Sequence, residues 1–141
     1  MPTIDPEVEK DAINIVGTDG TGTVAVDMEY VPAEEIESRY GGTVDEPEVG
    51  KEWLVVTAKQ TVTEGELGLN PASFDVITPY GGEIGPASAT YGMKGSGTDG
   101  PMDFTEGDEY TIKILFDVKR AKGLELNYTT YSDDYRWDVP A

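Results

Sequence analysis

The chain contains no cysteine and no histidine among its 141 residues. Without cysteine there are no thiol nucleophiles and no thiolate metal ligands. Without histidine there are no imidazole ligands, and the side chain that most often carries protons at neutral pH is missing. Zinc enzymes and Ser-His-Asp hydrolases are therefore excluded. No other catalytic arrangement stands out, so we expect no catalytic residues, no cofactor and no bound metal.

Basic side chains are also scarce. The chain has 10 lysines and arginines against 28 aspartates and glutamates, which gives a formal net charge of -18 at pH 7. A surface of this sign repels phosphate backbones and anionic lipid headgroups. We therefore expect no nucleic-acid partner, and we interpret most of the carboxylates as a solvated, mutually repulsive surface.

Long apolar runs are missing as well. No run of apolar residues approaches the length that a transmembrane helix needs, and residues 1–11 are polar and acidic without the apolar core of a signal peptide. We expect no membrane insertion of the chain as printed. Any export signal or lipid anchor of a precursor is expected to have been removed.

The length of the chain fits one domain with a core that needs neither disulfides nor metals. Residues 1–16 mix proline with acidic residues and show no clear periodicity. We predict a mobile N-terminal arm there, with room for a short strand near Ile13 to Val16. The folded domain is predicted over residues 17–141.

Alternation of apolar and polar residues predicts strands along most of this domain. The clearest alternation runs from Tyr110 to Val118. Comparable alternation covers Thr23 to Tyr30, Phe74 to Val76, Leu124 to Tyr128 and Tyr135 to Val139. Each of these segments is preceded by turn residues, as strands of a small all-β domain usually are.

Three further segments complete the predicted organisation. Trp53 to Ala58 is apolar on both faces, which predicts a central strand covered on both sides. Residues 33–40 follow Pro32 and precede Gly41, so they predict either a short helix or an acidic loop. Lys94 to Pro101 has the composition of a mobile loop. About seven or eight strands with these turns indicate an all-β antiparallel β-sandwich.

Three motifs recur together in one known family. They are a Gly-Lys-Glu-Trp entry into a strand (Gly50 to Lys59), Asn-Pro-Ala-Ser-Phe-Asp-Val (Asn70 to Val76), and Glu-Gly-Asp-Glu before a strand ending Leu-Phe-Asp-Val (Glu106 to Val118). With these motifs and its Trp-Asp-Val-Pro ending, the chain resembles the secreted immunoprotective-antigen family of mycobacteria and related actinobacteria. It resembles more loosely the Ig-like domain of Gram-positive surface lipoproteins. The resemblance implies an exported, extracellular or surface-anchored Ig-like β-sandwich that contacts other macromolecules and has no known catalytic residues.

The late aromatic residues are the candidates for a contact site. Tyr128 and Trp137 lie on the inward phase of their strands, so we predict that they belong to the core. Tyr131, in an acidic turn, and Tyr135 are the candidates for contact with a protein or a glycan. Tyrosine rings supply a large contact area at a small cost in side-chain entropy.

Two acidic turns are candidate calcium sites. Asp19-Gly20 and Asp99-Gly100 offer oxygen ligands, but the sequence has no EF-hand loop pattern, so we interpret them as turns. Adjacent carboxylates such as Glu34-Glu35 and Asp133-Asp134 are expected by chance in so acidic a chain.

These observations predict a non-enzymatic secreted or cell-surface module that contacts a protein or surface partner. The alternative is a carbohydrate-binding or glycan-associated accessory module that uses the late aromatic residues. A structural component of an envelope or assembly is the third hypothesis. The sequence sets neither the partner nor the oligomeric state.

Overall fold

The alternating segments fold into two antiparallel sheets. The computed structural model describes residues 13–16, 19–98, 103–130 and 134–140. The strands are β1 (Ile13–Val16), β2 (Gly20–Tyr30), β3 (Glu52–Gly68), β4 (Phe74–Ile77), β5 (Glu83–Ile84), β6 (Asp103–Thr105), β7 (Glu109–Val118), β8 (Glu125–Thr129) and β9 (Asp134–Asp138). Three short 3-10 helices connect them: Ala33–Glu35, Pro71–Ser73 and Ser88–Gly92.

The larger sheet has five strands and is built around β3. Strand β3 pairs with β2 along one edge and with β7 and then β6 along the other, while β1 pairs with the far side of β2. Val56 of β3 lies opposite Met28 of β2 and Ile114 of β7. This register places the apolar residues of all three long strands on one face.

The smaller sheet has four strands in the order β5-β4-β8-β9. Phe74 of β4 is paired with Tyr128 of β8, and their rings stack with centroids 4.5 Å apart. Trp137 of β9 pairs with Leu126 on the same inner face. As predicted, Tyr128 and Trp137 are both buried.

The main core lies between the two sheets. Its largest fully buried apolar side chains include Leu54, Ile114 and Phe116 from the larger sheet and Phe74 and Leu126 from the smaller one. Burying each such side chain contributes about 1.5–3 kcal/mol to folding before entropy is counted. Burial of the apolar side chains that alternate along these strands is therefore the main driving force for folding of the sandwich.

Strand β3 is covered on both faces, as predicted. Leu54 and Val56 face the main core, whereas Trp53 belongs to a second cluster on the outer face of the larger sheet. We refer to the two segments that cover this cluster, residues 31–51 and 85–98, as the loop layer. The second cluster consists of Ala33, Ile36, Trp53, Met93 and Leu115.

Residues 33–40 do not form an α-helix. The 3-10 turn Ala33–Glu35 ends at Ile36, whose backbone is extended at φ -107 and ψ 108. Ile36 is buried in the second cluster, and Glu37 then pairs with Thr43 across a tight hairpin. Anchoring of Ile36 and closure of the hairpin outweigh the local signals for a longer helix. Of the two predicted alternatives, the segment therefore forms the loop, with one 3-10 turn at its start.

Two predicted mobile segments fall partly within the described residues. The N-terminal arm was expected over residues 1–16, and β1 at Ile13–Val16 pairs with β2, while residues 1–12 lie outside the described part. In the predicted mobile loop, Ser96 is buried and its carbonyl accepts a hydrogen bond from the Lys113 backbone N–H at 2.8 Å.

Within the described ranges, no helix combines the length and the hydropathy that crossing a bilayer requires.

Candidate binding surface

The loop layer is fixed to the outer edge of β7. The backbone N–H of Ala87 donates to the Leu115 carbonyl at 2.8 Å, and the Leu115 N–H donates to the Thr90 hydroxyl at 2.9 Å. The same hydroxyl donates to the Leu115 carbonyl at 3.3 Å. Thr90 is fully buried. Its hydroxyl forms the hydrogen bonds to the Leu115 backbone that a neighbouring strand would otherwise form.

The two segments of the loop layer are also joined to each other. Ser38 pairs with Met93, the Arg39 N–H donates to the Gly92 carbonyl at 2.9 Å, and the Lys94 N–H donates to the Glu37 carbonyl at 2.9 Å. These bonds hold the hairpin Glu37 to Thr43 against the 3-10 helix Ser88–Gly92. Backbone hydrogen bonds on both sides therefore set the position of the hairpin tip.

The hairpin tip presents tyrosine to solvent. Tyr40 is 84% exposed, and Tyr91 on the neighbouring helix is 49% exposed. The tip turns through Gly41 at φ 99 and Gly42 at φ 68, a conformation that favours glycine. A shallow groove of about 320 Å³ lies beside Tyr40. Its lining includes Ser38, Thr43, Val44, Asp45 and Ala89.

A second groove, of about 400 Å³, crosses the outer face of the larger sheet beside the loop layer. We refer to it as the acidic groove. Asp27 and Glu29 of β2 line one side, and Lys113 of β7 lines the other. The apolar part of its lining consists of Val31, Ile36, Val55 and Met93.

A third groove, of about 360 Å³, lies where the chain leaves β2. The Arg120 guanidinium stacks 3.9 Å from the centroid of the Tyr30 ring and pairs with Glu52 at 3.0 Å. Burial raises the pKa of Tyr30, and the charge of Arg120 opposes the rise. Lys51 is paired with Glu48 at 2.7 Å. Both cations of this groove already have carboxylate partners.

Of the two contact residues predicted from the sequence, the structure describes Tyr135. Tyr131 lies outside the described residues. Tyr135 is half-buried, and its hydroxyl accepts a hydrogen bond from the Val16 N–H at 3.2 Å. Its ring lies 6.5 Å from that of Tyr128, whose burial raises its pKa to about 12. Tyr135 thus links β9 to β1, and its role in binding stays a prediction.

Carboxylates elsewhere take part in hydrogen-bonded networks. Asp134 accepts hydrogen bonds from the Thr129 hydroxyl at 2.7 Å and the Asn127 amide at 3.4 Å, which lower its pKa. The Arg136 Nε–H donates to the side-chain amide oxygen Oδ1 of Asn127 at 3.2 Å. The described residues contain no group of three or more acidic side chains placed to hold a metal ion. Asp99 lies outside those residues.

The exposed tyrosines of the loop layer were missed at the sequence level. Tyr40 stands directly before Gly41 and Gly42, so a turn was the available signal, and Tyr91 lies in a weakly patterned segment. Asp27 and Glu29 alternate with apolar residues of β2, which predicts that they face outward, but nothing local indicates an apolar groove beside them. That groove depends on contacts between segments far apart in the chain.

No protein-family model and no curated protein matches the sequence. Among solved structures, the secreted protein MPT63 of Mycobacterium tuberculosis is similar, with a TM-score of 0.61, 16% identity and coverage of 92% of each chain. A candidate lipoprotein of Bacillus subtilis, ycdA, has a TM-score of 0.56 at 15% identity and covers 89% of this chain but 38% of its own.

A second Bacillus subtilis protein, yjhA, has a TM-score of 0.56 and 15% identity over 91% of this chain and 96% of its own. Identities this low establish a shared fold and nothing finer. These matches confirm the Ig-like β-sandwich and the resemblance, at the level of structure, to a secreted mycobacterial protein and to one Gram-positive lipoprotein candidate.

Proposed function

We propose that this chain is an exported, non-enzymatic Ig-like module that binds a protein partner through its loop layer. Export is supported by the similarity to a secreted protein and to a candidate lipoprotein. A binding role without catalysis is supported by a sequence that lacks both cysteine and histidine. The fold itself is compatible with many functions, so the binding role is inferred from the residues on the surface.

The exposed tyrosines carry the proposal. Tyr40 lies on the hairpin Glu37 to Thr43, and Tyr91 lies on the 3-10 helix Ser88–Gly92. Backbone hydrogen bonds from Arg39 to Gly92 and from Lys94 to Glu37 hold the hairpin and this helix segment together. Tyrosine is enriched in the few interface residues that dominate binding energy. Because the backbone is already ordered, a partner that covers these rings loses little additional entropy.

The test selects ligands before it tests residues. A phage-displayed library of random peptides is panned on the immobilised protein, and the recovered peptides are titrated calorimetrically against the wild type and the Tyr40→Ala/Tyr91→Ala double variant. We expect the affinity to fall by about tenfold or more. Tyr80→Ala is the matched control, because Tyr80 is 98% exposed on the turn between β4 and β5. Full affinity of the double variant, or no recovered ligand, would contradict the proposal.

A glycan-associated module is the second candidate. The groove beside Tyr40 is bordered by the hydroxyl-bearing Ser38 and Thr43 and by Asp45, and hydroxyl and carboxylate groups around an aromatic ring also suit a sugar. A glycan array separates the two candidates. Specific sugar binding that Tyr40→Ala abolishes and Tyr80→Ala preserves would favour this candidate over a protein partner.

A further inference from the structure

We infer that the acidic groove receives an arginine or lysine side chain flanked by apolar residues from the protein partner. This inference rests on the proposed protein-binding function of the loop layer, which the groove adjoins. It adds to that proposal the type of residue with which the partner would contact the groove.

The carboxylate wall is available to a ligand. Asp27 and Glu29 are two residues apart on β2, so both point to the outer face about 6.6 Å apart along the strand. Both side chains are exposed, and neither forms an ion pair with another described residue. A guanidinium group placed between them can donate to both carboxylates.

The lining favours a side chain with an apolar stem. Ile36 and Met93 are buried where they support the groove, and Val31 and Val55 are half-buried. The methylene stem of arginine or lysine packs on such a surface while its charged end stays in water. An apolar neighbour in the ligand would cover the exposed parts of Val31 and Val55 and remove them from water.

The width of the groove suits one extended chain. Its two walls stand on β2 and β7, with β3 between them, so they are about 9.6 Å apart at the backbone. On the opposite wall, Lys94 is paired with Glu37 at 3.3 Å. Lys113 is exposed and forms no ion pair with a described residue. A carboxylate or carbonyl of the same ligand would face Lys113.

The experiment titrates acetyl-Leu-Arg-Leu-amide into the isotopically labelled full chain and follows backbone and methyl resonances by NMR. We expect shifts confined to the groove, including Val31, Val55 and Met93. The double variant Asp27→Asn/Glu29→Gln should weaken binding about fivefold, as the loss of exposed ion pairs implies. The citrulline analogue, neutral but of the same shape, should bind as weakly to the wild type as the arginine peptide binds to the variant.

The matched control is Glu64→Gln/Glu66→Gln. These two residues are also exposed, two apart on a strand of the same sheet, and acidic, so the variant removes the same charge elsewhere. It should change the affinity by less than about twofold, apart from the weak effect of net charge. Equal weakening by both double variants, or shifts spread over the whole acidic surface, would overturn the inference.

Failure of the groove inference can be distinguished from failure of the proposed function. If the arginine peptide leaves the groove resonances unchanged while phage-selected peptides still require Tyr40 and Tyr91, the groove inference fails and the proposed function stands. If the selected peptides bind independently of both tyrosines, the proposed function fails.

Discussion

At the scale of single residues, Gln60 is the exception in the core. It occupies an inward position of β3, between Val24 of β2 and Tyr110 of β7, and is 1% exposed. Neither its amide nitrogen nor its amide oxygen has a hydrogen-bond partner among the described residues. A buried polar group without a partner costs stability, because its hydrogen bonds to water are not replaced.

Replacing this amide by an apolar chain of similar size should stabilise the protein. We expect Gln60→Met to raise the free energy of unfolding by about 1–3 kcal/mol, the cost of an unsatisfied buried group. Urea unfolding measures the change. Gln60→Glu is the control and should lower stability, because it buries a charge at the same site. A methionine variant less stable than wild type would show that the amide is satisfied in solution.

At the scale of elements, the edge of β7 shows how the loop layer completes the sheet. An exposed strand edge offers unpaired backbone groups to other chains. Here the Leu115 backbone is bonded to the Thr90 hydroxyl, and the Lys113 N–H is bonded to Ser96. The loop layer therefore covers this edge as well as the second cluster. It also provides the exposed tyrosines.

The hydroxyl of Thr90 should be the part of that residue that matters. Thr90→Val keeps the shape but leaves the Leu115 N–H unpaired, so we expect a loss of about 1–3 kcal/mol in unfolding free energy. Amide hydrogen exchange at Leu115 should also become faster. Thr90→Ser, which keeps the hydroxyl and loses a methyl group, should retain the slow exchange. Unchanged exchange in the valine variant would refute this account of the edge.

Sequence patterns predicted the elements unevenly. The strands of the core were predictable because apolar and polar residues alternate along each of them. Burial of one face of a strand produces this alternation without any knowledge of distant contacts. The segment at 33–40 was predictable only as a short helix or an acidic loop, since its proline, acidic residues and following glycines are compatible with both. Its actual path is set by Ile36 in the second cluster and by the pairing of Ser38 with Met93. Contacts of that range leave no local periodicity.

At the scale of the whole molecule, the chain combines a formal net charge of -18 with a β-sandwich, a fold that does not by itself imply a function. Such a charge disfavours self-association and speeds the encounter with basic partners. The sequence predicted the fold class and the acidic surface, since both follow from composition and alternation. It could not predict the candidate site, which is assembled from β2, β3, β7 and two loop segments far apart in the chain.

Whether the loop layer is the binding surface can be tested by finding where a selected ligand contacts the chain. Hydrogen–deuterium exchange of the 141-residue chain, with and without a saturating phage-selected peptide, reports which backbone amides become protected. The loop layer as contact surface predicts new protection within residues 31–51 and 85–98 and along the adjoining outer face of β2. Protection confined to β9 and the late aromatic residues, with the loop layer unchanged, would contradict it.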